Sequence, residues 1–268
     1  MRRAVLAGVG AAVGLAVAAC GPPAPPPVVI GPPPAAPAAV QATWSMNERN
    51  GRVMTDSGLL KPPHDGAIGP AVVLNGEAYY FPGWANVVDA NGNFTGAQIP
   101  AADSVVTVPD TGHQLEPTNA AFSVDGVLTA HLAATGALPN ASQGTGYNVV
   151  QKARASNLGG FWKVEIRGFG NGQGHLLCTL GDGRNVLTAE SAARIDDGNW
   201  HSFGCRLNGN VWSAVVDGVG ANVDATILGS VTPVERFSTA VTIGKKPGST
   251  DPSDSFSGWL DELNISAG

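Results

Sequence analysis

Tyr80, Trp84, Asn86, Asp89 and Asn93 place two aromatic rings, two amides and a carboxylate in one short stretch. That mixture suits sugar recognition, in which an aromatic face stacks on the ring and amide or carboxylate groups bond the hydroxyls. The same stretch also reads as a strand in which Tyr79, Tyr80 and Phe81 alternate between core and surface, followed by an exposed loop. His201 stands beside Trp200 but has no nucleophile or acid paired with it in sequence, which gives it a packing or hydrogen-bonding role. The Gly-x-Ser-x-Gly elbow, the His-Glu-x-x-His helix and the phosphate-cradling Gly-Lys-Ser/Thr loop are all absent.

The elements that must hold these residues are short. The chain of 268 residues is 43% hydrophobic but only 13% charged, with 36 glycines and 20 prolines, a balance that favours turns and short strands over long charged helices. A net charge of −6 with no large Lys/Arg cluster argues against nucleic acid as a partner. Apolar runs such as "DSVVTVP", "AFSVDGVLTAHL", "YNVVQKA", "FWKVEIRGF", "HLLCTL", "WHSFGCRL", "VWSAVV" and "WLDELNIS" recur between Gly, Asn, Asp and Pro, and helical periodicity is weak throughout. The expected fold is all-β, an antiparallel two-sheet jelly-roll β-sandwich.

Three segments follow one another. Residues 1–20 read as an export signal: Arg2 and Arg3, then an apolar run too short to anchor as a span. Val17-Ala18-Ala19-Cys20-Gly21 resembles a bacterial lipobox, which implies a lipid on Cys20 and a chain held at the outer face of the membrane. Residues 21–40 hold nine prolines and form an extended spacer, about 60 Å long at about 3.1 Å per residue. Residues 41–268 are expected to form one domain.

Within it, Asn208-Gly209 lies between two alternating runs and is expected to form a type I′ turn. That register pairs Leu207 with Asn210, Cys205 with Trp212 and Phe203 with Ala214. It puts Phe203, Cys205, Leu207, Trp212, Ala214 and Val216 on the inner face, and Ser202, Gly204, Arg206 and Ser213 on the outer one. With Cys20 carrying lipid, Cys178 and Cys205 remain as an even pair in an oxidising compartment. A bridge between them closes a loop of about 28 residues, worth about 3 kcal/mol in the chain-entropy model.

Asp-Gly-x-Trp-His at 197–201, the strand with Cys205, the hairpin, Val-Asp-Gly at 216–218 and the closing "FSGWLDELNIS" together resemble the bacterial laminin G-like, concanavalin A-like domains. "ATWSMNERNGRVMTDSG" is similar to the opening strand of that family, and residues 84–103 look like an added loop. The resemblance implies calcium as the cofactor, if there is one, with Asp56 and Asp261 as the carboxylates that would hold it at the sandwich rim. Glucanases of this shape carry alternating carboxylates on one strand to flank the glycosidic bond, and no two acidic residues here are spaced i, i+2. The expectation is therefore a non-catalytic binding domain, with a glycan-degrading enzyme of the same superfold, a glucanase or lyase whose site is assembled from distant loops, as the lesser alternative. Its partner is either a glycan or an envelope protein met without a sugar site. Trp259 beside Asp261 is a second aromatic and carboxylate pair, on a strand that the resemblance makes a packing element.

Overall fold

The computed structural model describes residues 40–88, 94–101, 103–117, 121–130, 146–153, 160–168, 173–226, 228, 240–251 and 254–268. Cys20 and the proline spacer lie outside these residues, as do Asp89 and Asn93. In chain order the strands are β1 (Val40–Trp44), β2 (Val53–Met54), β3 (Gly66–Ile68), β4 (Val73–Leu74), β5 (Tyr79–Phe81), β6 (Trp84–Val88), β7 (Phe94–Pro100), β8 (Val106–Val108) and β9 (Ala121–Thr129). Then come β10 (Gly146–Lys152), β11 (Phe161–Gly168), β12 (Gly174–Gly181), β13 (Val186–Arg194), β14 (His201–Asn208), β15 (Val211–Val216), β16 (Val219–Asp224), β17 (Val241–Ile243) and β18 (Gly258–Ala267). No α-helix forms among the described residues.

Two antiparallel sheets face each other, as the alternation of apolar residues requires. The first runs β16-β15-β14-β9-β18-β5-β4, and the second β13-β12-β11-β10-β17-β8-β3-β2. Strand β18 organises the first sheet. Its start pairs with β5, its end pairs with β1, and β9 lies along its other edge. A bulge at Asp261 and Glu262, the latter at φ 50°, marks the change of partner.

Trp44, Trp162 and Trp212 are fully buried between the sheets, and each ring N–H donates to a carbonyl. The acceptors are His64 at 2.9 Å, Leu115 at 3.0 Å and Cys178 at 3.0 Å. Burying an indole is favourable when its one polar atom is satisfied in this way. The Cys178–Cys205 disulfide ties β12 to β14 and so clasps the two sheets together, with Cα atoms 5.5 Å apart.

The β14–β15 hairpin keeps the expected faces but not the expected register. Leu207 pairs with Trp212, Cys205 with Ala214 and Phe203 with Val216, because the two central turn residues are Gly209 and Asn210 instead of Asn208 and Gly209. Gly209 alone has positive φ, at 56°, which is the type II′ requirement of glycine at the first central position. The partner shift is an even number of residues, so Phe203, Cys205, Leu207, Trp212, Ala214 and Val216 all still point inward and are buried. The type I′ turn falls one hairpin later, at Asp217 and Gly218 with φ of 49° and 80°. Within residues 84–103, expected to be an added loop, Trp84–Val88 and Phe94–Pro100 pair as β6 and β7 in a small third sheet.

Candidate functional site

Of the five residues of the expected sugar site, Asp89 and Asn93 lie outside the described residues, and Tyr80 and Trp84 lie on different faces. Trp84 is only 9% exposed and packs against Tyr147 at 5.9 Å between ring centroids, so its faces belong to the core. The cause is local: Pro82 and Gly83 reverse the chain, with Trp84 N–H donating back to Pro82 O and Gly83 at φ 66°. The reversal resets the alternation that began at Tyr79. Asn86 sits in β6 opposite Gln98. Tyr80 lies on the outer face of a main sheet.

There Tyr80 meets the second candidate. Tyr80 pairs directly with Trp259 across β5 and β18, and the rings lie 5.2 Å apart at 47°. Val73 flanks Tyr80 on β4, and Thr129 flanks Trp259 on β9. Paired residues share a face, so Val73, Tyr80, Trp259 and Thr129 form a row across four strands on the side away from the core. Both rings are half-buried. Asp261 follows Trp259 by two residues on the same face. Its carboxyl is pushed up to about 6, by burial first; the negative charges of Glu262 and Glu77 add to this, against the hydrogen bond that Glu262 N–H donates to it.

Beyond Val73 the row opens into a groove of about 460 Å³ lined by Arg49, Asn50, Arg52, Pro70, Val72 and Leu74. Arg52 donates to the carbonyls of Gly69, Pro70 and Val72, so its guanidinium closes the loop before β4. The stem of Arg49 lies over Gly76, where a Cβ would sit 2.4 Å from its Cγ.

Of the two carboxylates expected to hold calcium, Asp56 is engaged by the backbone and Asp261 lies on the outer face of β18. Both oxygens of Asp56 are taken by backbone donors: Oδ1 accepts Thr43 N–H at 2.9 Å and Gly58 N–H at 2.7 Å, and Oδ2 accepts His64 N–H at 2.9 Å. This is the turn-capping role open to any such carboxylate. Among the described residues no three His, Cys, Asp or Glu gather closely enough to hold a metal ion.

His201 has the hydrogen-bonding role expected of it. Its Nδ1 faces Asp217 Oδ2 at 2.7 Å and its Nε2 faces Asp197 Oδ1 at 3.0 Å, so the ring ties the β15–β16 turn to the loop before β14. Burial works to lower its pKa, but the two carboxylates outweigh burial and raise it. Asp197 is brought down to about 2: burial opposes this, and hydrogen bonds from Asn199 and His201 prevail.

A buried group of His64, Asp110, Glu116 and Lys152 is absent from the residues that the sequence singles out. No spacing rule collects residues separated by up to 88 positions, although a lysine closing the apolar run "YNVVQK" is a signal that it needs a partner.

An antiparallel sandwich with these sheet orders defines the class of protein. Residues 152–267 match the family model described as Laminin G domain, and the two antiparallel sheets form a β-sandwich of the laminin G-like kind. Similar solved structures include the Botulinum Neurotoxin serotype G binding domain, with a TM-score of 0.55 and 13% identity, covering 85% of this chain and 47% of that one. The binding domain of Paraclostridial Mosquitocidal Protein 1 gives a TM-score of 0.52 at 12% identity, covering 84% of this chain and 48% of that one. Domains LG4-5 of the mouse laminin alpha1 chain give 0.43 at 12% identity, covering 59% and 38%. The chain thus spans less than half the length of each of these structures. No curated protein sequence matches.

Proposed function

We propose that this chain is a non-catalytic binding module, exported and held at the membrane through Cys20, that retains a glycan of the cell envelope or its surroundings on the Tyr80–Trp259 face. The observation that carries this reading is the outward cross-strand pair with Asp261 beside it. The rings offer a partly exposed apolar surface for a sugar face, and the carboxyl group accepts or donates to hydroxyls. The similar binding domains of two toxins support a module of this class.

Strand geometry supports the orientation. Val40, where the spacer ends, pairs with Ala267 at the far end of β18. Trp259 lies eight residues away along that strand, about 27 Å at about 3.4 Å per residue. The rings therefore lie at the end of β18 away from Val40. We propose the module without calcium, because among the described residues Asp56 caps a turn and Asp261 belongs to no metal-binding group, and we propose it without bond cleavage.

A protein partner is the second reading. It is favoured by Val53, Leu59 and Val73, which are 56%, 76% and 51% exposed, two of them on strands at the sheet margins beside the groove. A glycan array probed with and without chelator separates the readings. Retention of defined sugars that survives chelation supports the first. Capture of one protein with no sugar retained supports the second, and release of reducing ends from a glucan refutes both.

A further inference from the structure

His64, Asp110, His113, Glu116 and Lys152 meet at the end of β10, outside every role described so far. Lys152 Nζ contacts Asp110 Oδ2 and lies 2.6 Å from Glu116 Oε1. Side-chain exposure is 2% for Lys152, 0% for Asp110 and 5% for Glu116. His113 Nδ1, on a ring 41% exposed, faces the same Glu116 oxygen at 2.9 Å. An amine and a carboxylate are thus pressed together, out of water, with a second carboxylate on the amine.

The carboxylate of Asp110 is also fixed in orientation. Gln114 N–H donates to Oδ1 at 2.9 Å and Leu115 N–H to Oδ2 at 3.0 Å. His64 Nε2 lies 3.2 Å from Oδ1, and its buried Nδ1 has no partner among the described residues. That imbalance assigns the ring proton to Nε2, which then donates to Oδ1.

The strands place the pair where no main-chain ladder can join it. Lys152 lies opposite Val241 in β17, which lies opposite Val108 in β8, and Asp110 follows two residues later. The two side chains reach each other across β17. Trp162, opposite Lys152, and Leu115 and Val241 are all buried there. An ion pair in such surroundings bears a desolvation cost that a neutral product would not.

We infer that Lys152 and Asp110 are joined by an intramolecular isopeptide bond formed with Glu116 as proton carrier. Glu116 takes a proton from the Lys152 ammonium and so exposes the nitrogen lone pair. Nζ attacks Cγ of Asp110, and negative charge gathers on Oδ1, where Gln114 N–H and His64 Nε2–H already point. Glu116 hands its proton to Oδ2. A second proton from Nζ follows the same path, the Cγ–Oδ2 bond breaks, and Oδ2 leaves as water. Ammonium and carboxylate become amide and water with no net proton change and no oxidant. The burial that keeps bulk water away also protects the amide from hydrolysis.

Peptide mapping by mass spectrometry of the full chain, after reduction and alkylation, tests this. The expected result is a branched peptide joining the segments of Lys152 and Asp110, lighter than the two linear peptides together by one water. In Glu116→Gln the expected result is linear peptides only, in a chain whose Cys178–Cys205 disulfide still forms. Linear peptides from the unaltered chain overturn the bond. A Glu116→Gln chain that cross-links as completely as the unaltered one overturns the proton-carrier role.

Discussion

His201 illustrates how one side chain couples two loops to pH. Its folded pKa lies above the ordinary value of 6.5 and that of Asp197 lies at about 2, below the ordinary 3.8. A raised histidine adds stability that is complete below the unfolded pKa and is lost as pH rises through the folded one. A lowered aspartate adds stability that is complete above its unfolded pKa and is lost as pH falls through about 2. The bridge therefore contributes most between 3.8 and 6.5. Thermal unfolding of the protein and of His201→Gln, followed from about pH 4 to about pH 9, should show a gap in Tm that is widest at the acid end and narrows through the histidine titration. A gap that stays constant with pH would contradict the assignment.

At the scale of elements, turn chemistry decides register and apolar parity decides face. Gly218 stands at φ 80°, and the space where a Cβ would point is open. Gly218→Ala therefore meets no clash and bears only the left-handed backbone cost, about 1–2 kcal/mol. Chemical denaturation of that variant checks the figure, and no loss of stability would mean that the turn is not type I′. The same reasoning explains what can be read from the amino-acid order. The inward set from Phe203 to Val216 is legible because alternation survives an even shift in pairing. The turn centre is not, because Asn208-Gly209 and Gly209-Asn210 both suit a two-residue hairpin. Strand β16 gives no signal because its residues are exposed or half-exposed and form no apolar run. Trp84 reads as a surface residue only while the alternation is carried through the Pro82-Gly83 reversal, which in fact resets it. The pairing of Tyr80 with Trp259 spans 179 positions, and nothing local announces it.

Across the whole molecule, the disulfide and strand β18 set what the domain can do. Cys178 and Cys205 hold the two sheets at one point deep in the core, and replacing both with alanine should cost about 3 kcal/mol in the chain-entropy account. Equilibrium unfolding of the double variant against the oxidised protein measures this, and equal stability would show that the core alone fixes the sheets. Strand β18 runs from the Val40 end of the sandwich to the Tyr80–Trp259 row, so in the proposed function a ligand on the rings is held at the end away from the spacer. The central claim is that this row, and not the buried Trp84, is the binding surface. Its most direct test is titration of an array-identified glycan against the protein and Trp259→Ala. The account predicts binding weakened about tenfold or more, a loss of about 1.4 kcal/mol, and unchanged affinity in Trp259→Ala would contradict it.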